Sequence, residues 1–406
     1  MTTPAPGDLI AGRYELGEEV GSGGFAAAYR AQDRGTGREV AVKLPNYDRS
    51  SNDPDLIDRY FANEGETLER IRAAGGHPNL MDLFERISVG DAPALVVEFV
   101  EGFELDTVIQ EAGPFESSEL VRRIGMNLAN AMGFLHENEI VYRDLKPDNA
   151  MLTDEAGEVT LIDFNTATYD VGAMGSSDAT AILGPYKPPE VAEAGSTDVR
   201  QGPWSDVYSI GKILMFLLKG TVPKKDGVDP RDFGAECEPY LAEVIERATR
   251  PDYEERYRNA TVLEQVLDTR NPEIPAEAAV RHVQADREYR LFPGDTIGRR
   301  YAEGPTPSIA IEDSGEYIST VQVQFDVDAD GTWLLRDRSL NGTYVQTGSG
   351  WQRVLGDEGR RRLKQQGEDP TDRHGEVPPS TYPLSDGDLV ALVHPSYGVT
   401  FEFETV

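Results

Sequence analysis

The hydrophobic period of this chain changes twice, and these changes constrain its fold more than any other feature. Residues 13–44 alternate apolar and polar side chains between glycine turns, which is typical of half-buried strands. From about 116 to 267 the spacing becomes helical, and short alternating runs return after 282. We therefore predict a first domain at 8–268, a linker at 269–282 and an all-β sandwich at 283–406.

Composition narrows the class of protein. A chain of 406 residues exceeds what one hydrophobic core organises, and its net charge of −33 argues against nucleic acid or an anionic membrane as a main partner. Such a charge suits either a salt-adapted host or an ordinary acidic cytosolic protein. The single Cys237 fits a reducing compartment, and the longest apolar run, 208–220, is too short to span a bilayer. We expect a soluble cytoplasmic protein.

Residues 347–380 interrupt the series of short alternating runs in the β-rich part. They include the basic run "GRRRLKQQ" at 359–366, in an otherwise acidic chain. We expect a solvated face on a loop insertion, and the alternative is a contact with the acidic first domain.

The first domain carries a pattern suited to phosphate. The stretch "EVGSGGFAAAYRA" at 19–31 reads as strand, glycine turn and strand, and its glycines let backbone amides approach phosphate oxygens. Lys43 follows in the apolar strand "EVAVKL". Because a buried lysine needs a charged partner, we expect it to pair with Glu64 in the next helical stretch.

Four further motifs follow in order: "VYRDLKPDNAML" (141–152), "LIDFNTA" (161–167), "YKPPE" (186–190) and "SDVYSIG" (205–211). The series resembles the eukaryotic-type serine/threonine protein kinases. The resemblance implies an α+β protein-kinase fold, with a small β-rich N-lobe and a larger helical C-lobe. It also implies ATP- and Mg²⁺-dependent phosphate transfer to protein hydroxyls. Asp206 would brace the catalytic loop, and Arg256 would pair with Glu190.

The resemblance implies roles for individual residues. Asp144 would be the catalytic base and Lys146 would contact phosphate, while Asn149 and Asp163 would bind magnesium. The residues that it implies for ATP binding are Val20, Gly21, Ser22, Gly23, Gly24, Phe25, Ala28, Ala41, Lys43, Glu64, Glu98 and Val100.

Four departures from the family pattern affect this reading. Ala26 replaces the third glycine of the loop, Tyr142 replaces a histidine, and Asn165 replaces the glycine after "DF". Asparagine tolerates left-handed backbone geometry at a cost of about 1 kcal/mol, so we expect a stiffened hinge and an intact site. The residues at 182–185, "ILGP", lack the family's threonine before Tyr186, which leaves the preference for serine or threonine open.

The segment before Tyr186 is expected to carry regulation. Arg143, next to the catalytic aspartate, is the kind of residue that pairs with a phosphate in this segment and orders it. The candidate phosphorylation sites are Ser176, Ser177 and Thr180.

The C-terminal strands carry a second series of landmarks: "DTIGRR" (295–300), "YISTVQVQF" (317–325), "DRSLNGTYV" (337–345) and "LSDGDLVAL" (384–392). The series resembles the forkhead-associated (FHA) domain, an eleven-stranded sandwich that binds phosphothreonine peptides. Arg299 and Ser319 match its phosphate contacts, and Asn341 matches its contact with the peptide backbone. Thr320 stands where a second basic residue is common, and Gln322 replaces a structural histidine.

Two classes of function therefore compete. The first is a serine/threonine protein kinase whose FHA-like module binds phosphothreonine proteins or its own phosphorylated sites. The second is a pseudokinase scaffold, in which nucleotide only sets a shape. The five residues implied in transfer are present, which favours the enzyme; they are Lys43, Glu64, Asp144, Asn149 and Asp163. A kinase acting on a small molecule is disfavoured by the full-length activation segment and the attached reader module.

Overall fold

The computed structural model describes residues 5–47, 52–90, 92–138, 140–165, 167, 184–192, 202–273, 278–300, 307–313, 315–328, 331–348, 350–371 and 376–405. The chain forms two compact units. The first contains the described residues of Met1–Tyr169, Gly184–Pro188 and Asp206–Pro251, and the second contains the rest. In the described parts of the chain, no helix combines the length and the apolar character needed to cross a bilayer.

The first unit begins with a six-stranded antiparallel sheet in the order β1-β2-β3-β4-β6-β5. Its strands alternate buried and more exposed residues, as the period of two predicts, so that one face forms a core. The strands are β1 (Leu9–Ile10), β2 (Tyr14–Ser22), β3 (Ala26–Asp33), β4 (Glu39–Pro45), β5 (Leu83–Val89) and β6 (Ala92–Glu98).

Helix α1 (Pro54–Ala73) follows β4 in the chain and packs against β4 and β5 of the sheet. Its start is fixed by the side chain of Asp53, which accepts a hydrogen bond from the amide of Asp55, and by Pro54 in the first turn. The helix ends where Gly75 and Gly76 adopt positive φ angles of 107° and 71°. Glu64 is thereby held on the buried face of the helix.

Helix α2 (Leu105–Ala112) precedes the predicted helical region, which contains α3 (Ser118–Glu137), α5 (Pro203–Lys219) and α6 (Pro239–Ala248). Ser117 caps α3, as one of the two expected capping residues, by accepting a hydrogen bond from the amide of Leu120. A three-stranded sheet, β7 (Phe103–Glu104), β8 (Ala150–Leu152) and β9 (Val159–Leu161), frames the loop that carries "RDLKPDN". The expected order of a β-rich part and a mainly helical part is confirmed.

The second unit contains α4 (Pro189–Ala192), α7 (Ala260–Thr269) and a sandwich of two sheets. One sheet has six strands in the order β11-β10-β20-β19-β16-β17, and the other has five in the order β13-β12-β14-β15-β18. The strands are β10 (Ala278–His282), β11 (Arg287–Leu291), β12 (Asp295–Arg299), β13 (Ile309–Ile311), β14 (Val323–Val327), β15 (Trp333–Asp337), β16 (Thr343–Thr347), β17 (Gly350–Val354), β18 (Thr381–Pro383), β19 (Leu389–Ala391) and β20 (Thr400–Thr405). The expected all-β sandwich is confirmed, with eleven strands in its described part.

Two details differ from expectation. Strand β10 lies within the stretch assigned to the linker and pairs with both β11 and β20. The basic run is not a loop, because it lies on helix α8 (Asp357–Gln365), whose first turn is acidic and whose last turn is basic. Acidic residues in the first turn and basic residues in the last turn interact favourably with the helix dipole. Counting only the basic residues of this stretch misses this indication of a helix. The domain boundaries at 268 and 283 remain predictions.

Candidate functional sites

The glycine turn between β2 and β3 is fastened at its tip. Asn46 donates from Nδ2 to the carbonyl of Gly23 at 2.7 Å, and from its backbone amide to the carbonyl of Phe25 at 3.0 Å. The ring of Phe25 stacks on Tyr60 of α1 with centroids 4.2 Å apart. The turn is therefore tied both to α1 and to the residue that follows β4. Sequence reasoning missed Asn46, because a single asparagine after a strand carries no pattern.

The other residues expected to bind nucleotide lie along this sheet. Ala28 lies opposite Lys43 in the β3–β4 pair, and Ala41 lies opposite the buried Val97 in the β4–β6 pair. Val20, Gly21 and Ser22 form the exposed end of β2. Glu98 ends β6, and its backbone amide donates to the carbonyl of Asp82 at 2.8 Å, while Val100 lies two residues further along.

Lys43 and Glu64 form the expected ion pair between Nζ and Oε1. Little of either side chain is accessible to solvent: 12% of the surface of Lys43 and 1% of that of Glu64 are exposed. Burial alone would lower the pKa of Lys43, but the carboxylates of Glu64 and Asp163 outweigh it and raise that pKa. The ammonium group therefore stays charged between two carboxylates, which is the electrostatic setting that a phosphate-binding lysine requires.

Asp206 holds the loop before the candidate catalytic residues. Its carboxylate accepts hydrogen bonds from the backbone amides of Tyr142 at 3.0 Å and Arg143 at 2.9 Å, and it contacts Nε2 of His136 at 2.9 Å. Arg143 adopts a φ of 70°, a left-handed conformation that a non-glycine residue holds only where its surroundings enforce it. The expected bracing by Asp206 is confirmed. His136 was missed, although it lies in the last turn of α3, a few residues before the loop.

The predicted loop residues converge. Lys146 donates from Nζ to Asp144 Oδ2 at 3.0 Å, and Asn149 donates from Nδ2 to the Asp144 carbonyl at 2.8 Å. Asp144 and Asn149 are buried, at 7% and 5% exposure. Burial opposes the charge of Lys146, but Asp144 outweighs this effect and raises the pKa of the lysine. The carbonyl of Asn149 accepts from the amide of Ile162 at 3.1 Å, which links this loop to the residue before Asp163.

The "DFN" turn corrects one expectation. The backbone of Asn165 does not adopt a positive φ angle, so the left-handed geometry expected there is wrong. Its amide instead donates to Asp163 Oδ1 at 3.1 Å, and its carbonyl accepts from Asn63 Nδ2 at 2.9 Å. Asn63 also donates to the carbonyl of Ala167 at 2.7 Å, so α1 holds the turn. An ordinary backbone at this position needs no glycine.

Two aromatic rings and one ion pair match the sequence analysis. Tyr142, which stands in place of the family's histidine, packs edge-to-face on the fully buried Phe164, with centroids 5.4 Å apart. In the second unit, Arg256 donates from Nη1 and Nη2 to the two carboxylate oxygens of Glu190 at 2.8 and 3.0 Å. This expected pair is confirmed. The candidate phosphorylation sites Ser176, Ser177 and Thr180 lie outside the described residues.

Three of the four residues expected to bind phosphopeptide meet at one end of the sandwich. Arg299 ends β12, and its Nε donates to the carbonyl of Ile318 at 3.1 Å while its amide donates to the carbonyl of Ser319 at 2.9 Å. Ser319 Oγ accepts from the amide of Leu340 at 3.2 Å, and Asn341 donates from Nδ2 to the carbonyl of Tyr317 at 3.2 Å. A guanidinium, a hydroxyl and an amide thus surround one patch, which suits a phosphate dianion.

Thr320, the fourth residue, contributes backbone to this end of the sandwich. Its carbonyl carbon and oxygen lie so close to Gly298 that a Cβ there would approach the oxygen to 2.0 Å, which explains a glycine in β12. Among the described residues, no hydrogen bond joins the Thr320 side chain to Arg299, Ser319 or Asn341.

Gln322, which stands in place of a structural histidine, has a structural task of its own. It is fully buried, and its Oε1 accepts from the amide of Ser319 at 2.9 Å. Its Nε2 donates to the carbonyl of Gly342 and to Thr343 Oγ1, both at 3.1 Å, and to the carbonyl of Leu392. One amide therefore joins three loops, including those that carry Ser319 and Asn341.

Comparisons with known proteins find the two families that the sequence resembles. A model of the protein kinase domain matches residues 14–271, and a model of the FHA domain matches residues 296–367. The chain is similar to the serine/threonine-protein kinase PrkC of Bacillus subtilis, at 34% identity over 53% of this chain and 32% of that protein. It is also similar to serine/threonine-protein kinase C of Synechocystis, at 30% identity over 76% of this chain and 56% of that protein.

The solved structure described as "PpkA-294 apo form" has the same fold over 66% of this chain and its own full length, with a TM-score of 0.54 and 21% sequence identity. The chain spans between about a third and just over half of the length of the two curated relatives.

Proposed function

The chain belongs to the protein kinase family, and we propose that it transfers the γ-phosphate of ATP to serine or threonine hydroxyls of proteins. The observation that carries this proposal is the buried Lys43–Glu64 pair, with Asp163 acting on the same ammonium group. A pair buried in this way costs desolvation energy and contributes little stability, so a role in binding phosphate accounts for it better than a structural role does.

Asn149 and Asp163 fit a magnesium site. Asn149 uses its Nδ2 to hold Asp144, and no described residue donates to its Oδ1. Asp163 Oδ1 accepts from the amide of Asn165, and no described residue donates to Oδ2. Amide and carboxylate oxygens are ligands that Mg²⁺ prefers, with waters and nucleotide phosphates completing the shell. In the described parts of the chain, no group of three or more His, Cys, Asp or Glu side chains is arranged to hold a metal ion, so such a site would depend on the nucleotide.

Asp144 would act as the general base. Its carboxylate would accept the proton of the substrate hydroxyl, and its position is fixed by Asn149 and by the loop that Asp206 braces. Lys146, 3.0 Å from this carboxylate, would stabilise the charge that develops on the transferred phosphoryl group. Bound Mg²⁺ supplies neutralisation of the phosphate charge.

The FHA domain would bind phosphothreonine in proteins or in the chain's own phosphorylated segment. The support is the convergence of Arg299, Ser319 and Asn341 on one patch, and the Gln322 contacts that hold their loops together. The cytoplasm remains the predicted compartment, because the single Cys237 fits a reducing compartment and the acidic net charge fits a cytosolic protein.

Mg²⁺-dependent autophosphorylation of the purified chain with radiolabelled ATP tests the transfer. We expect Asp144→Asn and Asp163→Ala to abolish incorporation, and Asp268→Asn, the same change at an exposed position on α7, to leave it intact. Label that persists in both site variants would come from a contaminant. Mapping the phosphorylated residues then decides between serine and threonine.

The pseudokinase scaffold, in which nucleotide only sets a shape, is the alternative. Nucleotide would then raise the melting temperature of the wild type while no label is incorporated at low or high salt. That result would replace the kinase proposal.

A further inference from the structure

We propose that Arg362 and Arg353 form a second anion-binding subsite beside Asn341, which selects phosphothreonine peptides that carry an acidic side chain near the phosphothreonine. The inference rests on the proposed phosphopeptide binding and adds a determinant of specificity to it. It assigns a function to α8, the basic helix that interrupts the strands of the sandwich.

Two arginines converge on Asn341. Arg362 donates from Nη1 to Asn341 Oδ1 at 2.6 Å, and Arg353, on β17, donates from Nη2 to the Asn341 carbonyl at 2.6 Å. Asn341 is also bonded to the carbonyl of Tyr317, the neighbour of Ile318, whose carbonyl accepts from Arg299. The two arginines therefore lie next to the patch proposed for the phosphate, within the reach of one short peptide.

The position of Arg362 follows from the packing of α8. Gly359 is buried, and a Cβ there would lie 2.4 Å from Leu355, 3.0 Å from the carbonyl of Ser339 and 3.3 Å from that of Leu340. The helix can approach the loop before Asn341 only because this residue is glycine. Arg362 lies three residues later, on the same face of the helix, and so reaches Asn341.

Arg360 fastens the same helix. It donates from Nη2 to the carbonyl of Pro378 at 2.6 Å and lies 3.7 Å from Asp357. The subsite therefore sits on a fixed element, and its arginines need not be ordered by the peptide at the moment of binding.

The charge of the subsite is uncompensated. Other arginines of the sandwich have carboxylate partners, such as Arg281 with Glu402 and Arg336 with Asp326. In the described residues no carboxylate pairs with Arg362 or Arg353, and Arg353 Nε is buried without a hydrogen-bond partner. In a chain of net charge −33, two adjacent unpaired arginines indicate a place for an external anion.

A carboxylate suits this place better than the groups that occupy it now. The acceptors of Arg362 and Arg353 are a neutral amide oxygen and a carbonyl oxygen. A glutamate or aspartate of the peptide would provide charge-assisted hydrogen bonds, which are about twice as strong as neutral ones. It would also reduce the repulsion between the two guanidinium groups.

The experiment uses the full chain without ATP and a set of fluorescent phosphothreonine peptides, in which a single glutamate is moved through each position on both sides of the phosphothreonine. A peptide with glutamine at every such position is the reference. By anisotropy we expect at least one glutamate position to bind about tenfold tighter than the reference. In Arg362→Gln this preference disappears, while affinity for the reference peptide changes less than about threefold.

Three controls separate the explanations. Arg361→Gln, one residue earlier and exposed, should keep the preference, and Arg362→Lys should keep part of it because the charge remains. Arg299→Ala should lose all peptides. A thermal melt of each variant excludes unfolding as the cause.

Two results would overturn the inference while phosphothreonine binding stands: equal affinity of the wild type for glutamate and glutamine peptides, or an unchanged preference in Arg362→Gln. Tighter binding of the reference peptide to Arg362→Gln would also overturn it, because Arg362 would then block the site. If no phosphothreonine peptide binds the wild type, the proposed reader function itself fails.

Discussion

The carboxylate of Asp206 holds the backbone amide of Arg143 at 2.9 Å, but in the described residues the guanidinium group of Arg143 has no partner for Nε or Nη2. Burial lowers the pKa of this arginine to about 10, although the charge of Asp206 opposes the shift. A buried cation with open donors is costly. An anion that arrives at this position would therefore be bound strongly and would order the segment that carries it.

Phosphorylation of the activation segment is the expected source of that anion. We predict that Ser176→Ala, Ser177→Ala and Thr180→Ala together lower the turnover of a protein substrate by about tenfold or more, because the segment loses its pairing with Arg143. Arg143→Met should lower turnover to a similar level. The two changes combined should add nothing further, since both remove the same interaction. Undiminished turnover in the triple variant would leave Arg143 with a structural role only.

The Lys43–Glu64 pair predicts a difference between two substitutions of the same residue. Glu64→Gln keeps the shape of the side chain and one hydrogen-bond acceptor for Lys43. Glu64→Ala removes this acceptor, and the ammonium group then has Asp163 but not Glu64 to balance its charge. We expect initial rates to fall about tenfold for glutamine and about a hundredfold for alanine, since loss of a preorganised charge contact commonly costs this much. Glu69→Gln, on the exposed side of α1, is the matched control. Equal rates for all three variants would contradict the role of the pair.

The sequence indicated the charged residues of the site better than the residues that hold them. Lys43 with Glu64 could be found because a lysine in an apolar strand demands a partner, and Arg256 with Glu190 because family motifs occur in order. Asn63, Asn46 and Gln322 could not be found in this way. Each is an uncharged side chain that donates to at least one backbone carbonyl distant in sequence, and such contacts exist only once the chain has folded. Helix α8 was missed for another reason, because its apolar face is too small to give a helical period.

The "DFN" turn gives a prediction that separates Asn165, within the turn, from Asn63 of α1, which holds the turn. Asn165→Gly should leave activity within a few-fold of wild type, because the backbone at this position is not left-handed and its contacts are made by main-chain atoms. Asn63→Ala should lower activity by about tenfold or more, since the carbonyls of Asn165 and Ala167 lose their donor and α1 no longer fixes the turn. Steady-state rates at saturating ATP measure both. A gain of a hundredfold in Asn165→Gly would show that Asn165 holds the site inactive, and the pseudokinase alternative would then lead.

The hydrogen bonds of Gln322 predict that substitution at this position loosens the loops of the FHA domain that carry Ser319 and Asn341. Gln322→Ala would leave the amide of Ser319 and the carbonyls of Gly342 and Leu392 buried without this partner, at about 1–3 kcal/mol for each unsatisfied group. We expect hydrogen exchange of the full chain to speed up in the loops around 319 and 341, with loss of phosphothreonine binding. Gln322→His should retain part of the protection, because an imidazole can accept from one loop and donate to another. Gln324→Ala is the control, since this side chain lies two residues later, in β14, and in the described residues its recorded hydrogen bond goes to the nearby Asp326. Exchange that is unchanged in Gln322→Ala, or that rises equally in both alanine variants, would show that the loops are held by other contacts.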